Sequence, residues 1–348
     1  QPKGVVCSNL NIVAQAIQIM ENRGCRRQDC MMIQLPPFIN YSLVTMLESF
    51  CYGFRTLLIP KYEPLKLVYY IKRYRVNFTH SIPSYWEALF HIPHIGPHDL
   101  SSLRAIASGG EAMDVKTEAE VNRLLHKGGT SIDLMKGLGM TESTSGVVGS
   151  YPACNPEGCV GIPFIKTNCR IVDVTTGDEL SYNEEGELCF AGPTVMVGYY
   201  NNPEATDEII KTDADGTRWL HTGDIGYMTE DGIIYITGRL KRLLMQKDEN
   251  GLVSKIFPER IEAVIKQMPE VKECCVVGKA DEARITLPVA YVMASPGHED
   301  DKGVSASVVR WCTDRLPAYM VPAEVHVLAA LPRTDRGKID YRALENRQ

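Results

Sequence analysis

The 348-residue sequence predicts an α/β protein: a mostly parallel, helix-covered sheet, a small antiparallel β subdomain, and a small α+β C-terminal domain. Three observations predict this. Short apolar runs alternate with amphipathic stretches through about residue 147, the rhythm of a sheet covered by helices. From 148 to 238 the texture becomes short strands separated by Gly and Asx turns. After Gly238-Arg239 the alternation resumes on a smaller scale. The expected organisation is a large domain over 1–238, divided into an α/β part (1–147) and a β-rich part (148–238). A linker at 239–242 and a small domain at 243–348 follow.

The elements follow in order. Leu10, Val13, Ala14, Ile17 and Met20 mark a helix over Asn9–Asn22, capped by Ser8 or Asn9 and ended by Gly24. A strand is expected at Met31–Leu35, a helix at Ser42–Tyr52 closed by Gly53, and a strand at Phe54–Ile59. Pro64 opens a helix to about Arg75. Strand Val76–Ser81, helix Pro83–His91, strand Leu103–Ala107, helix Asp114–His126 and strand Ile132–Met135 complete the first part. Short strands then fall at Asn168–Val174, Glu187–Ala191, Trp219–His221 and Ile233–Ile236. The last block reads as helix Pro258–Gln267, strands Val271–Val277 and Thr286–Met293, helix Val304–Arg315 and strand Glu324–Leu328.

Composition excludes several classes of function. Asp and Glu number 43 against 37 Lys and Arg, with no basic block, which argues against nucleic acid as a partner. No apolar stretch reaches the ~18–20 residues of an integral membrane segment. The 11 cysteines are odd in number, form no C-x-x-C pair and mostly sit in apolar runs, which fits a reducing cytoplasmic setting. Cys25 with Cys30 and Cys154 with Cys159 have no His or Cys at ligand spacing, so neither pair reads as a zinc site. Gln1-Pro2-Lys3-Gly4-Val5 has neither an initiator Met nor a signal-peptide pattern.

Four segments carry chemistry. Lys136-Gly137-Leu138-Gly139-Met140-Thr141-Glu142 reads as a glycine-flanked turn whose amides and hydroxyl suit a phosphate and whose carboxylate suits Mg²⁺. It reads equally as a solvated helix start. In Trp219-Leu220-His221-Thr222-Gly223-Asp224, an Asp in a tight turn between strands can accept from both hydroxyls of a ribose, or is an ordinary hairpin Asp. Gly238-Arg239-Leu240-Lys241-Arg242 offers Arg239 to ribose or phosphate and puts Lys241 where a hinge would fall, or is a basic linker. Leu331 to Asp340 puts Lys338 on a loop, able to neutralise charge developing during phosphoryl or acyl transfer, or is an exposed tail.

Together and in this order, the four segments resemble the adenylate-forming (AMP-binding) superfamily, which includes acyl-CoA synthetases. Pro2-Lys3-Gly4-Val5 looks like the end of that family's phosphate loop, and Ser108-Gly109-Gly110-Glu111-Ala112 like its nucleotide-edge segment. Gly186-Glu187-Leu188, Gly192-Pro193, Gly198-Tyr199-Tyr200 and Asn202-Pro203-Glu204-Ala205-Thr206 match further signatures, so the resemblance spans the chain.

The resemblance implies ATP-dependent conversion of a small-molecule carboxylic acid to an acyl-adenylate, then thioester formation with coenzyme A, as in fatty acid metabolism. It implies Mg²⁺ at Glu142, phosphate contacts from Thr141 and Lys3, and adenine lined by Gly109, Gly110, Glu111, Leu138 and Gly139. It further implies ribose held by Asp224 and Arg239, Lys338 bridging the acid and ATP oxygens, and a mobile C-terminal domain pivoting at Lys241. A carrier protein loaded in trans is an alternative acceptor, and a non-catalytic nucleotide- or acyl-binding relative is a third reading.

Two positions depart from the family pattern. Leu138 stands where an aromatic residue usually stacks on adenine. Ile39 follows Pro37-Phe38 where relatives carry His or Asp, which disfavours an amino-acid substrate and suits an acyl or aryl acid. His80, Tyr85, Trp86, Ser108 and Val147 fall near places that line pockets in relatives, or are core. The Lys247–Gly251 stretch reads as an inserted solvated turn. Because family chains carry a large segment before the phosphate loop, the sequence reads as an N-terminally truncated fragment, impaired in holding ATP phosphates.

Overall fold

The computed structural model describes residues 3–247, 251–298, 301–334 and 339–347. The chain divides into two compact units, Gln1–Thr222 with Gly226–Ile236, and Gly223–Ile225 with Thr237–Gln348.

The first unit begins with β1 (Val5–Val6), α1 (Asn9–Arg23), β2 (Cys30–Ile33), α2 (Asn40–Tyr52), β3 (Arg55–Leu58) and α3 (Leu67–Tyr74). It continues through β4 (Phe78–Ser81), α4 (Pro83–Trp86), β5 (Ala105–Ser108), α5 (Val115–Lys127), β6 (Met135–Gly139), β7 (Gly146–Gly149) and β8 (Ile162–Pro163). Seven strands form one sheet in the order β3-β2-β4-β5-β6-β7-β8. Pairing is parallel from β3 to β6 and antiparallel across β6, β7 and β8.

Local chemistry sets the helix ends. The Asn11 amide donates to Ser8 Oγ (3.1 Å) and the Ser8 amide to Asn11 Oδ1 (2.7 Å), satisfying two donors that α1 would otherwise leave unpaired. Gly24, with φ +58°, ends α1 in the left-handed conformation that a side chain would disfavour. Asp114 caps α5 by accepting from the Thr117 amide at 2.9 Å.

Side-chain alternation along the strands divides the core. Met31 packs with Ile19, Met20, Phe78 and Met135; its neighbour Met32 packs with Leu67, Ile71, Trp86, Val121 and Leu125. The inner strands β2, β4 and β5 are therefore buried on both faces, as in helix-covered sheets, while the edge strand β3 is largely exposed. Burying a side chain of this size contributes about 1.5–3 kcal/mol. Trp86 is fully buried and its Nε1–H donates to the Ala107 carbonyl at 3.2 Å.

Beyond β8 lie β9 (Asn168–Val172), β10 (Gly186–Ala191), β11 (Gly198–Tyr199), α6 (Pro203–Ile209), β12 (Ile210–Thr212), β13 (Arg218–Met228) and β14 (Ile234–Arg239). A second sheet runs β12-β13-β10-β9, with β14 paired to β13. β1 pairs antiparallel with β11, Val5 opposite Tyr199 and Val6 opposite Gly198.

In the second unit β15 (Leu244–Lys247) pairs antiparallel with β16 (Val253–Ile256), followed by α7 (Pro258–Ile265), β17 (Val271–Asp281) and β18 (Ile285–Ala294). Helix α8 (Asp301–Thr313), β19 (Glu324–Val327) and α9 (Tyr341–Glu345) complete it. The three-stranded sheet β17-β18-β19 and helices α7 and α8 bury Ile261, Ile265, Val276, Val292 and Val308. No helix among the described residues is long and apolar enough to cross a membrane.

The fold is the expected mixed α/β class, with three local corrections. The strand expected at Ile132–Met135 is Met135–Gly139 instead. The supposed turn Lys136–Gly139 is thus extended, because antiparallel pairing with β7 claims its backbone. Asp224 lies inside the 11-residue strand β13, not in a turn between strands. The helix expected over Pro83–His91 tightens to 3₁₀ geometry from Glu87. Residues 248–250 of the expected solvated turn lie outside the described residues, as do Pro2 and Lys338.

Candidate functional site

In the first unit, three glycine-bearing strand ends open a cavity of about 190 Å³. Its lining includes Gly109, Gly110, Gly137, Leu138, Gly139 and Thr141, with Ile39, Tyr41, His80, Ser108 and Phe164. Gly110, just past β5, has φ +81°, which a side chain would strain. Gly139 is required for a different reason: a Cβ there would stand 1.9 Å from the Ser145 carbonyl oxygen. Small residues thus let the β6 and β7 backbones approach closely and keep the cavity wall low.

The floor of the cavity is aromatic. The His80 ring stacks on Tyr41 (5.3 Å between centroids, 20° between planes) and meets Phe78 edge-on at 4.5 Å. His80 Nδ1 lies 3.3 Å from Thr45 Oγ1. Of the other pocket candidates, Trp86 and Val147 are core residues and Tyr85 packs on Tyr62 at 4.8 Å, so packing explains all three.

Beyond Gly139 the chain turns through a 3₁₀ segment, Thr141–Ser143. Ser143 Oγ donates to the Ser145 carbonyl (2.8 Å) and accepts from the Met140 amide (3.0 Å), fixing the turn. Thr141 is exposed and Glu142 half-buried. The Tyr199 hydroxyl donates to Glu142 Oε1 at 2.6 Å, and the Met196 amide donates to the Glu142 carbonyl at 2.9 Å. Burial first, and the bond to Glu142 second, push the Tyr199 phenol well above its usual range, so it remains a donor. Lys3 Nζ lies 4.5 Å from the centre of the Tyr199 ring. One tyrosine therefore gathers Lys3 and Glu142.

The other named residues fall elsewhere. Glu111 is exposed and outside the cavity lining. In the second unit Asp224 is almost wholly buried and pairs with Arg239 at 2.7 Å, while Arg239 stays half exposed. Lys241 is exposed within the 3₁₀ segment Leu240–Arg242. Its neighbour Arg242 is anchored by Glu259 (2.9 Å), Glu262 (2.5 Å) and the Val276 carbonyl (2.9 Å). Sequence reasoning missed Tyr199 as a site residue, although it stands in the Gly198-Tyr199-Tyr200 signature, and missed Tyr41 entirely.

Comparison with known proteins places this geometry among relatives. A family model described as AMP-binding enzyme matches residues 1–200, and one described as AMP-binding enzyme C-terminal domain matches residues 260–338. The long-chain-fatty-acid–CoA ligase of Bacillus subtilis is 29% identical over 99% of this chain and 59% of its own length. The 2-succinylbenzoate–CoA ligase of Bacillus cytotoxicus is 32% identical over 99% of this chain and 67% of its own length. The chain thus spans 59% of the first two curated relatives it matches. Among solved structures, o-succinylbenzoate CoA synthetase of Bacillus subtilis with its acyl-adenylate intermediate superposes with TM-score 0.81 at 27% identity. That match covers 99% of this chain and 66% of the other. ATP-bound MatB from Rhodopseudomonas palustris has TM-score 0.85 at 24% identity, covering 99% and 65%, a likeness of fold.

Proposed function

Because the chain belongs to the AMP-binding enzyme family, we propose that the protein carrying it is an AMP-forming acid–thiol ligase. It activates a carboxylic acid with ATP, releasing pyrophosphate, and passes the acyl group to coenzyme A. The observation that carries this reading is the glycine-walled cavity that reaches Thr141, followed in the chain by Glu142, which Tyr199 holds beside Lys3.

In this reading the acid enters against His80, Tyr41 and Ile39, an aromatic and apolar floor suited to an acyl or aryl chain. Gly109, Gly110, Leu138 and Gly139 line the nucleotide, with Glu111 at its edge. Leu138 contributes apolar contact in place of ring stacking. The Thr141 hydroxyl and the Lys3 ammonium meet phosphate oxygens. Asp224 and Arg239 hold the ribose; burial of Asp224 beside Arg239 keeps its acceptor oxygens fixed.

Glu142 fits Mg²⁺, which takes one or two carboxylates plus substrate phosphate oxygens. Its carboxylate is oriented by the Tyr199 donor, so it need not be reorganised on binding. Bound there, Mg²⁺ would neutralise charge on the transferring phosphates. Catalysis is otherwise positioning and charge stabilisation. Lys338 neutralises the acid carboxylate and ATP oxygens in the first half-reaction, and reorientation about Lys241 removes it for the second. The compartment we propose is the cytoplasm.

Pyrophosphate release by the full-length protein, with a panel of carboxylic acids and with or without CoA, tests the reading. Acid-dependent release with a CoA thioester by mass spectrometry supports it. Release without a CoA thioester points to a carrier-protein acceptor, and no release to a binding protein.

A further inference from the structure

A second cluster of reactive side chains lies on the sheet formed by β9, β10 and β13. Glu187 and Cys189 are two apart on β10, so both project from the same face. His221 stands on the neighbouring strand β13, and the Thr222 hydroxyl donates to the Leu188 carbonyl at 2.8 Å, tying the two strands at this level. His221 Nδ1 lies 2.8 Å from Glu187 Oε2 and 3.4 Å from Cys189 Sγ. The three ligand atoms all lie within 4.8 Å of one another. We infer that Glu187, Cys189 and His221 form a binding site for a borderline-soft divalent cation, Zn²⁺, held by one thiolate, one imidazole and one carboxylate.

Two of the three donor separations are close to what the ion needs, and the third, between Cys189 Sγ and the Glu187 carboxylate, lies within 4.8 Å and closes by rotation of the Glu187 side chain. Tetrahedral zinc bonds of about 2.0–2.3 Å set neighbouring donors roughly 3.3–3.6 Å apart. The sulfur–nitrogen separation already meets this, and the nitrogen–oxygen separation needs to open by only a few tenths of an ångström. Cys189 is buried, whereas the His221 and Glu187 side chains remain 18% and 11% exposed. Water can therefore reach the open side and supply the fourth position, as in three-ligand zinc sites. Mg²⁺, which prefers oxygen donors, is excluded by the thiol and imidazole.

Charge also balances. A thiolate and a carboxylate neutralise one divalent ion. Arg170, opposite Cys189 in register, donates to Asp213 at 2.9 and 3.3 Å and lies over the Trp219 ring at 4.2 Å, so its charge is already matched. Without an ion, burial raises the Cys189 pKa and keeps it a thiol. Binding breaks the Sγ–H bond and forms a metal–sulfur bond, and the proton passes to solvent. In the metal-free hydrogen bond Nδ1–H donates to Glu187; on binding, that proton leaves Nδ1 for solvent and Nε2 takes one up, so the neutral ring binds through its Nδ1 lone pair and the Glu187–His221 hydrogen bond gives way to two metal bonds.

Titration of the full chain with Co²⁺ under reducing conditions tests the site. One equivalent should produce a near-ultraviolet thiolate-to-cobalt charge-transfer band that Zn²⁺ abolishes by competition. Cys189→Ser and the better-packed Cys189→Val should both lose the band, while Cys275→Ser keeps it. Glu187→Gln and His221→Asn should weaken Zn²⁺ at least about tenfold in competition with a chromophoric chelator. Absence of the band in the unaltered chain overturns the inference. So does a band that survives both substitutions of Cys189, or Zn²⁺ affinity unchanged by Glu187→Gln.

Discussion

The hydroxyl of Tyr199 donates to the carboxylate of Glu142 across 2.6 Å, joining two residues that stand on separate strand-end segments of the first unit. A hydrogen bond to a charged group is worth about 1.5–3 kcal/mol. Tyr199→Phe should therefore lower kcat/KM for ATP in acid-dependent pyrophosphate release by roughly 10–100-fold. Glu142→Gln should cost more and steepen the Mg²⁺ requirement. Full activity in both variants would remove Glu142 from the proposed site.

Lys338, outside the described residues, is proposed to act in the first half-reaction alone. In the full-length protein Lys338→Ala should abolish adenylate formation while sparing thioester formation from a supplied acyl-adenylate. Equal loss of both steps would contradict the assignment.

Gly139 carries no unusual backbone angle; its constraint is the Ser145 carbonyl, 1.9 Å from where a Cβ would sit. Gly139→Ala must push β6 and β7 apart, and overpacking of this kind costs about 1–3 kcal/mol. Denaturant titration should show a lower midpoint with an unchanged slope. An unaltered midpoint would mean the hairpin yields freely.

Arg242 is the cation for two largely buried carboxylates, Glu259 and Glu262. Removing one partner of such a cluster costs about 3–5 kcal/mol. Burial already holds the Glu259 carboxyl above its ordinary range, against the pull of Arg242. In Arg242→Met that pull is gone and the carboxyl rises further. A carboxyl whose folded pKa exceeds its unfolded value contributes stability at low pH and loses it as pH rises through the folded pKa. The deficit of Arg242→Met against the unaltered protein should be smallest near about pH 4 and grow toward neutrality. A deficit independent of pH would mean that lost packing, not charge, dominates.

Helix α1, its Ser8 cap and its Gly24 stop were legible because each signal is local, but the apolar stripe misled about its buried face: Leu10, Val13 and Ile17 are exposed, while Asn11, Gln15, Gln18 and Ile19 are buried against the rest of the unit. Equally legible was the double-sided burial of β2, whose run of apolar residues has no polar alternation. Gly137 and Gly139 misled because glycine signals a turn unless a partner strand is known, and that partner, β7, is fixed by pairing rather than propensity. Asp224 misled for a related reason: Gly223 beside it reads as a turn, yet pairing keeps the strand going. At the site, Glu142, Asp224 and Arg239 could be nominated from motif order. The pairing of Asp224 with Arg239, and the role of Tyr199 between Lys3 and Glu142, required the fold. Glu187 and Cys189 stand more than thirty residues from His221, so no ligand spacing could announce them.

The pairing of β1 with β11 has a consequence for synthesis. Val5 and Val6 complete their ladder only with Tyr199 and Gly198, nearly two hundred residues later. At about 5–20 residues per second, the ribosome leaves that first strand without its partner for roughly 10–40 s. During that interval two valines and Lys3 are an unmatched edge, open to chaperones or to wrong partners. Lys3 cannot take its place over Tyr199 until residue 199 has been made, with 149 residues of this sequence still to follow.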